Sequence, residues 1–376
     1  QNDCSIPYAQ PNRYQPVIAS RTRGLLYPVN SWSIEVQKGE TVDIVCPGFN
    51  NVLNGTQLPY LSATCQEDGT LPQPPGLSLN CKQSIRNIVS ETSKKCGSRG
   101  DSKVFQIGWS LPHQGISSLM EVCVNVGSFS TEYSKHILFG SMYNGTDVIW
   151  KRRHMFIPPF PYRKAYREQN QTLAALLGST TLANAYMYGW GRESFLSKGH
   201  LCPSADFNIQ TWRDATFHYI NAVPQWQAFN GGNWKDLEDS VKIKSRTPTP
   251  RDLVIYTGAH EVLKLPDVNK NPTRIFLLNA TQNSNSLAVP EKMWKIVLDE
   301  QKKEGVAFVL LNIPFNPKYP IPDPTPLCPD VCDEITWVQW TDRKNGTKGK
   351  IYCCTVDSFV KNIPNLPIPG NFSLMK

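Results

Sequence analysis

The sequence predicts an α+β protein: a small disulfide-rich all-β domain, then a larger domain on a central antiparallel sheet. Three observations carry that expectation. Four cysteines, Cys4, Cys46, Cys65 and Cys81, fall within the first ninety residues, among many Pro, Gly, Asn and Ser. From Val104 onward there are seven apolar runs rich in Val, Ile, Leu and aromatic residues. Between them lie two segments of helical character. A chain of 376 residues is too long for one compact core. The expected division is therefore residues 1–95 and residues 96–376.

In residues 1–95 the alternations SWSIEV and TVDIVC read as short strands. The even number of cysteines there implies two disulfides, with the pairing open. The stretch CKQSIRNIVSETSKKCGSRGDSK, from Cys81, reads as a linker. In the larger part, VFQIGWSL, EVCVNV, HILFGSMY, DLVIYTGAH, TRIFLLN, MWKIVL and GVAFVLLNI read as successive strands. QTLAALL and NWKDLEDSVKIK read as helices. The second starts after Gly231-Gly232 and stops before a Pro-rich stretch, as helices tend to. Near the end, Cys328, Cys332, Cys353 and Cys354 cluster in PLCPDVC and IYCCT. Their spacing matches no familiar zinc ribbon, so disulfides are expected there rather than a zinc site.

No apolar run is long enough to cross a bilayer, so no membrane association is expected. The chain begins at Gln1 without methionine, which suggests a mature form whose signal peptide has been removed. Eleven cysteines and six N-x-S/T sequons, at Asn54, Asn144, Asn170, Asn279, Asn345 and Asn371, favour a secreted glycoprotein in an oxidising compartment. The odd number leaves at least one thiol free or paired with another chain. The net charge is +8. Residues 1–95 hold 8 basic and 7 acidic residues, which leaves 31 and 24 for the rest. A basic larger domain suits a polyanionic partner, although the same charge also serves solubility.

The chemistry concentrates in SKGHLCPSADF (197–207) and FHYINAVPQWQAFNGGNWKDLED (217–239). Phosphodiester cleavage needs a base to deprotonate water, and histidine titrates near neutrality. It also needs a cation against the phosphate, held without filling its coordination sphere. Magnesium takes oxygen ligands and keeps most of its waters, so one Asn oxygen can be its only direct protein ligand. His200, Asn230 and Glu238 supply these types in order. If the span from Asn230 to Glu238 were fully helical it would rise about 12 Å, so a water-mediated role suits Glu238.

KGH at 198–200, NAVPQ at 221–225 and NGGNWKDLE at 230–238 together resemble the DNA/RNA non-specific endonucleases, the ββα-metal nucleases. The resemblance runs from about Val104 to Leu366. It implies a ββα-metal domain in which a strand carries the histidine and a helix carries the Asn and Glu. It implies His200 as general base, Asn230 as direct metal ligand and Glu238 as the residue holding the metal's waters. Asn221 would orient active-site groups. The cofactor implied is Mg2+, with Mn2+ as a substitute. The partner implied is nucleic acid, mainly double-stranded DNA as in secreted arthropod relatives; no obligate protein partner is inferred.

The family signature Asp-Arg-Gly-His departs here: Ser197 replaces the acid and Lys198 the arginine. Lysine keeps the charge but loses the bidentate fork on phosphate. A further phosphate clamp is expected from WKRRHMF, with Arg153 as the choice over a merely solvated basic turn. Trp212, Trp226 and Trp234 are expected in the core. Asp206 is expected to be a structural hydrogen-bond acceptor, and His113, His136, His154, His218 and His260 ordinary packed or surface histidines. The alternative to an enzyme is a catalytically inactive nuclease-like protein that binds extracellular nucleic acid, motivated by the altered 197–198 pair. A serine hydrolase using Ser197 is disfavoured, since no G-x-S-x-G elbow is present.

Overall fold

The computed structural model describes residues 3–8, 13–144, 160–278 and 286–376. The amino-terminal residues form two small sheets. Cys4–Pro7 pairs with Ser33–Val36, and a four-stranded sheet runs Gly24–Leu25, Val17–Ser20, Thr41–Val45, Tyr60–Thr64. The pairing left open by the sequence is Cys4–Cys65 and Cys46–Cys81.

The scaffold of the chain is a nine-stranded sheet. Its order is Ile351–Cys354, Glu304–Leu311, Pro290–Asp299, Leu253–Val262, Ser130–Leu138, Gly115–Asn125, Ser102–Leu111, Ile88–Cys96. Neighbours on this path are antiparallel, and Ser373–Leu374 adds a short parallel strand beside Glu304–Leu311. The α+β class with a central antiparallel sheet is thus observed.

Three local expectations change. The segment read as a linker contains the strand Ile88–Cys96, and the boundary expected after residue 95 falls inside it. That strand is an exposed edge, so its Ser, Thr, Glu and Lys side chains face water and erase the apolar pattern. HILFGSMY is strand only to Leu138. Beyond it the chain turns at Gly140, where a Cβ would come within 2.6 Å of Arg251 N. TRIFLLN is split between two small hairpins, Pro272–Arg274 and Phe276–Leu277. The two expected helices are present at Gln169–Leu177 and Asn233–Arg246.

The tail cysteines pair as Cys328–Cys354 and Cys332–Cys353, so the disulfide expectation holds. Asp330 lies close to the second bridge and accepts N–H bonds from Cys332 at 3.0 Å and Cys353 at 3.1 Å. Cys96–Cys123 ties the edge strand to the sheet. Cys202 is the free thiol, and it is buried. Among the described residues no helix is long and apolar enough to cross a membrane.

The amino-terminal sheets share a core with the scaffold. One apolar cluster joins Ile6, Val36 and Ile44 to Trp109, Met120 and Val122, and continues to Phe207, Ile209 and Trp212. Polar contacts cross the same seam. Arg13 Nε donates to Asp214 at 2.9 Å, and His218 Nε2 meets Asn87 Oδ1 at 2.5 Å. The segment between Cys202 and Ile220 is therefore packed between the amino-terminal sheets and the scaffold. Trp226 and Trp234 are buried in a second cluster with Phe229, Val297 and Phe308. All three tryptophans are thus in the core.

The shared cluster couples the amino-terminal sheets to the scaffold, so the two are expected to unfold together. Urea unfolding is expected to show a single transition, read alike by tryptophan fluorescence and by far-UV circular dichroism. Trp212→Ala should cost about 3–5 kcal/mol. Two separated transitions would show the amino-terminal sheets to be independently stable.

Candidate active site

His200 ends the strand Leu196–His200, which pairs antiparallel with Ala222–Trp226. The register sets Lys198 opposite Pro224, Gly199 opposite Val223 and His200 opposite Ala222. Strand alternation puts Leu196, Lys198 and His200 on one face, Ser197 and Gly199 on the other. The glycine is required by packing: a Cβ at Gly199 would sit 2.7 Å from the Cβ of Gln225. Gln225 is fully buried, and neither atom of its amide finds a partner among the described residues. Ser197 Oγ donates across the pair to the Gln225 carbonyl at 3.1 Å, so its hydroxyl is engaged in strand pairing.

Asn221 is fully buried just before the second strand. Its Oδ1 accepts the Cys202 N–H, and its Nδ2 donates to the carbonyls of Cys202 and Thr216, all at 2.9 Å. The side chain thus closes the 201–221 segment on itself and fixes the backbone two residues beyond His200. The His200 ring is half-buried, with Phe217 edge-on to it at 4.9 Å. Lys198 lies over two tyrosine rings, Tyr166 at 5.5 Å and Tyr219 at 5.6 Å. Arg153 lies outside the described residues.

The second strand runs directly into a short helix, Gln227–Asn230, which packs against the histidine strand. Asn230 ends that helix. Its Nδ2 reaches Gln227 Oε1 at 3.5 Å, and its Oδ1 makes no hydrogen bond among the described residues. The long helix starts only at Asn233 and carries Glu238 in its second turn. Asn230 and Glu238 therefore do not share one helix, as the resemblance implied. The break falls at Gly232, whose backbone (φ −102°, ψ −127°) is not helical and where a side chain would also meet the Lys348 carbonyl within 2.6 Å. The 12 Å rise of an unbroken helix does not apply across such a break.

Glu238 makes no side-chain hydrogen bond or salt bridge among the described residues. Burial raises its carboxyl to about 7, against the pull of Lys295 and Lys242 and with the push of Asp206 and Asp239. Lys295 is 1% exposed; it donates to Thr257 Oγ1 at 2.7 Å and lies over the Trp234 ring at 5.3 Å. Asp206 accepts from or shares a proton with His136 Nε2 at 2.7 Å, the structural role expected of it. Burial also pushes the Cys202 thiol well up, so it is a poor nucleophile. An unengaged amide oxygen and an unpaired carboxyl are hard oxygen donors, and this donor set suits a hard divalent cation.

The sequence did not single out Phe217, Tyr166, Tyr219 or Lys295. Phe217 and Tyr219 stand just before Asn221 in FHYIN, a readable aromatic cluster. Tyr166 and Lys295 are remote in sequence, and no spacing rule reaches them.

The sequence model of the DNA/RNA non-specific endonuclease family matches residues 100–359. The chain belongs to this family. The protein is thus a nuclease by family, acting on nucleic acid with a divalent metal. It is 29% identical over 343 residues to a salivary endonuclease of Lutzomyia longipalpis, covering 87% of this chain and 74% of that protein. It is 24% identical over 393 residues to salivary protein Tsal2A of Glossina morsitans morsitans, covering 98% and 92%. A salivary endonuclease of Culex quinquefasciatus is 24% identical over 317 residues, covering 82% and 74%. A chain of the solved EndoG/EndoGI complex aligns at 18% identity and a TM-score of 0.37, over 57% of this chain and 78% of that one.

Two outcomes follow for this nuclease. The folded chain disfavours the charged form of Glu238, so its stability is unaffected below about pH 4.5, falls as pH rises toward 7 and stays lower above. In EDTA, Glu238→Gln should flatten that slope and be the more stable form at pH 8, by roughly 3 kcal/mol at most. Urea midpoints between pH 4 and 8 read this, and an unchanged slope would refute it. Gly199→Ala should lose about 1–3 kcal/mol by crowding Gln225, seen as a lower urea midpoint.

Proposed function

We propose that this protein is a secreted, Mg2+-dependent endonuclease that hydrolyses phosphodiester bonds of DNA without sequence specificity. On this reading it favours duplex DNA, takes RNA as a secondary substrate and leaves 5′-phosphate ends. Mn2+ substitutes for Mg2+. The observation that carries the reading is one order of elements. A half-buried histidine ends a strand whose partner strand leads straight to an Asn with an unengaged oxygen, and then to an unpaired carboxyl. Five disulfides and the salivary relatives support secretion.

In this mechanism His200 accepts a proton from the attacking water, and Phe217 keeps its ring from turning. Asn230 Oδ1 would hold the cation directly, and Glu238 would hold it through water. When bound, the cation supplies positive charge at the phosphate and at the departing 3′ oxygen. Asn221 keeps the backbone after His200 in place. Lys198, steadied over two tyrosine rings, adds charge on the phosphate, and Arg153 is the proposed second clamp. Contacts confined to the backbone carry no sequence information, which fits non-specific cutting.

The test is plasmid nicking by wild type and His200→Ala, with Mg2+ and with EDTA, alongside single-stranded DNA and RNA. Wild type should cut only with metal and cut duplex DNA fastest. His200→Ala should be slower by about 10²–10⁴-fold while binding DNA equally. A wild type that binds DNA but cuts with no metal would replace the enzyme with a nucleic-acid-capturing protein.

A further inference from the structure

We propose that the loop 342–350 is a second docking element for the nucleic-acid backbone, with Lys344 and Lys348 contacting phosphates beside the scissile one. This rests on the reading that the substrate is nucleic acid. The segment reads DRKNGTKGK and carries four cations within eight residues, Arg343, Lys344, Lys348 and Lys350. Two of these are neutralised on the protein. Arg343 pairs with Asp330 at 2.8 Å and Asp333 at 3.2 Å, and Lys350 pairs with Asp323 at 2.8 Å. Lys344 and Lys348 are exposed and make no side-chain hydrogen bond or salt bridge among the described residues. The nearest acid in sequence, Asp342, spends one oxygen on the Lys344 backbone N–H at 3.0 Å.

Surface lysines alone would mean little. What sets these apart is how firmly the loop is fixed, and to what. Asn233, the first residue of the long helix, is fully buried, and its Nδ2 donates to the carbonyls of Asp342 at 2.9 Å and Gly349 at 2.7 Å. Its backbone N–H donates to the Lys348 carbonyl at 3.0 Å. Gly232 is held close enough to that carbonyl to exclude a side chain. Gly349 has φ +88, and a Cβ there would come within 2.9 Å of Phe229. The loop is thus clamped onto the residues just after Asn230. Behind it, Ile351 N donates to the Arg343 carbonyl at 2.9 Å, beside the Cys332–Cys353 bridge. A loop held this firmly loses little entropy when its lysines meet a phosphate, and it is fastened only two and three residues after Asn230.

The proposal is tested by binding, apart from catalysis. His200→Ala in EDTA is titrated with a labelled 20-base-pair duplex by fluorescence anisotropy, across 50–400 mM NaCl. Each duplex phosphate contact adds about 0.9 to the slope of log K against log salt. Adding Lys344→Gln and Lys348→Gln together should lower that slope by about 1.8 and weaken binding roughly tenfold to a hundredfold at 50 mM salt. In the active background the same pair should raise KM and leave kcat unchanged. Lys302→Gln, at the other end of Glu304–Leu311, is the control and should change neither. An unchanged slope, or an equal drop in the control, overturns the proposal even if the enzyme cuts DNA. A lysine-dependent slope in a protein that never cuts would keep it and sink the catalytic reading instead. Asn345 is also one of the six sequons, so a glycan found there by mass spectrometry in protein from a secretory host would cover both lysines and overturn the proposal.

Discussion

The site depends on one buried amide. Asn221 makes three hydrogen bonds of 2.9 Å, two to the residue that follows Leu201 and one to the end of the helical turn at Thr216. Leaving the bonds of a buried amide unmade costs about 1–3 kcal/mol each, a cost that Asn221 avoids by making all three within this segment. Those bonds close the 201–221 segment with a single geometry. His200 precedes it and the partner strand follows it, so closing the segment also sets the strand register. Gly199 then tolerates the approach of Gln225, and Lys198 and His200 are left on the same face. The amino-terminal sheets act on the same segment from outside, through Arg13 on Asp214 and through the cluster around Trp212. They look like an appended module in sequence, yet energetically they are part of the wall behind the histidine.

The sequence was most legible where short-range order decides the outcome. Apolar alternation announced most of the sheet, and the even cysteine counts announced the bridges. The order KGH, NAVPQ, NGGNWKDLE gave the strand, strand and helix of the site, because those residues lie within one unbroken span. Two things were hidden. The edge strand Ile88–Cys96 reads as linker because one side of it faces water and its outer rim is charged. The partners that come from afar, Tyr166 under Lys198 and Lys295 behind Glu238, depend on tertiary packing that leaves no local pattern. The break between Asn230 and the long helix was marked by Gly231-Gly232. What excludes a side chain there, the carbonyl of Lys348, lies more than a hundred residues away.

The electrostatics around Glu238 carry a stability cost at the residue proposed to hold the metal's waters. A half-buried carboxyl raised to about 7 with no hydrogen-bond partner among the described residues is unfavourable for the fold. Lys295 offsets part of that cost, but it is itself almost fully buried and engaged with Thr257 and Trp234. Neutral side chains of similar size would serve the fold better. The arrangement makes sense when a cation completes it, since a divalent charge would reverse the penalty on the carboxylate. The Asn230 oxygen, which makes no hydrogen bond among the described residues, is consistent with the proposed direct ligand role.

The replacement of arginine by lysine at position 198 fits this surrounding. An arginine fork gains from two parallel bonds to one phosphate, which requires a plane of donors held at one angle. An ammonium has no such plane and needs only to be held in place. Tyr166 and Tyr219 provide that, as two ring faces at nearly equal distance from Nζ, with Tyr219 itself stacked on Tyr162 at 4.7 Å. Aromatic packing thus contributes to its position. Ser197, where the family signature has an acid, closes a strand hydrogen bond to the Gln225 carbonyl. Both departures leave the strand pairing of 196–200 with 222–226 and the three bonds of Asn221 in place.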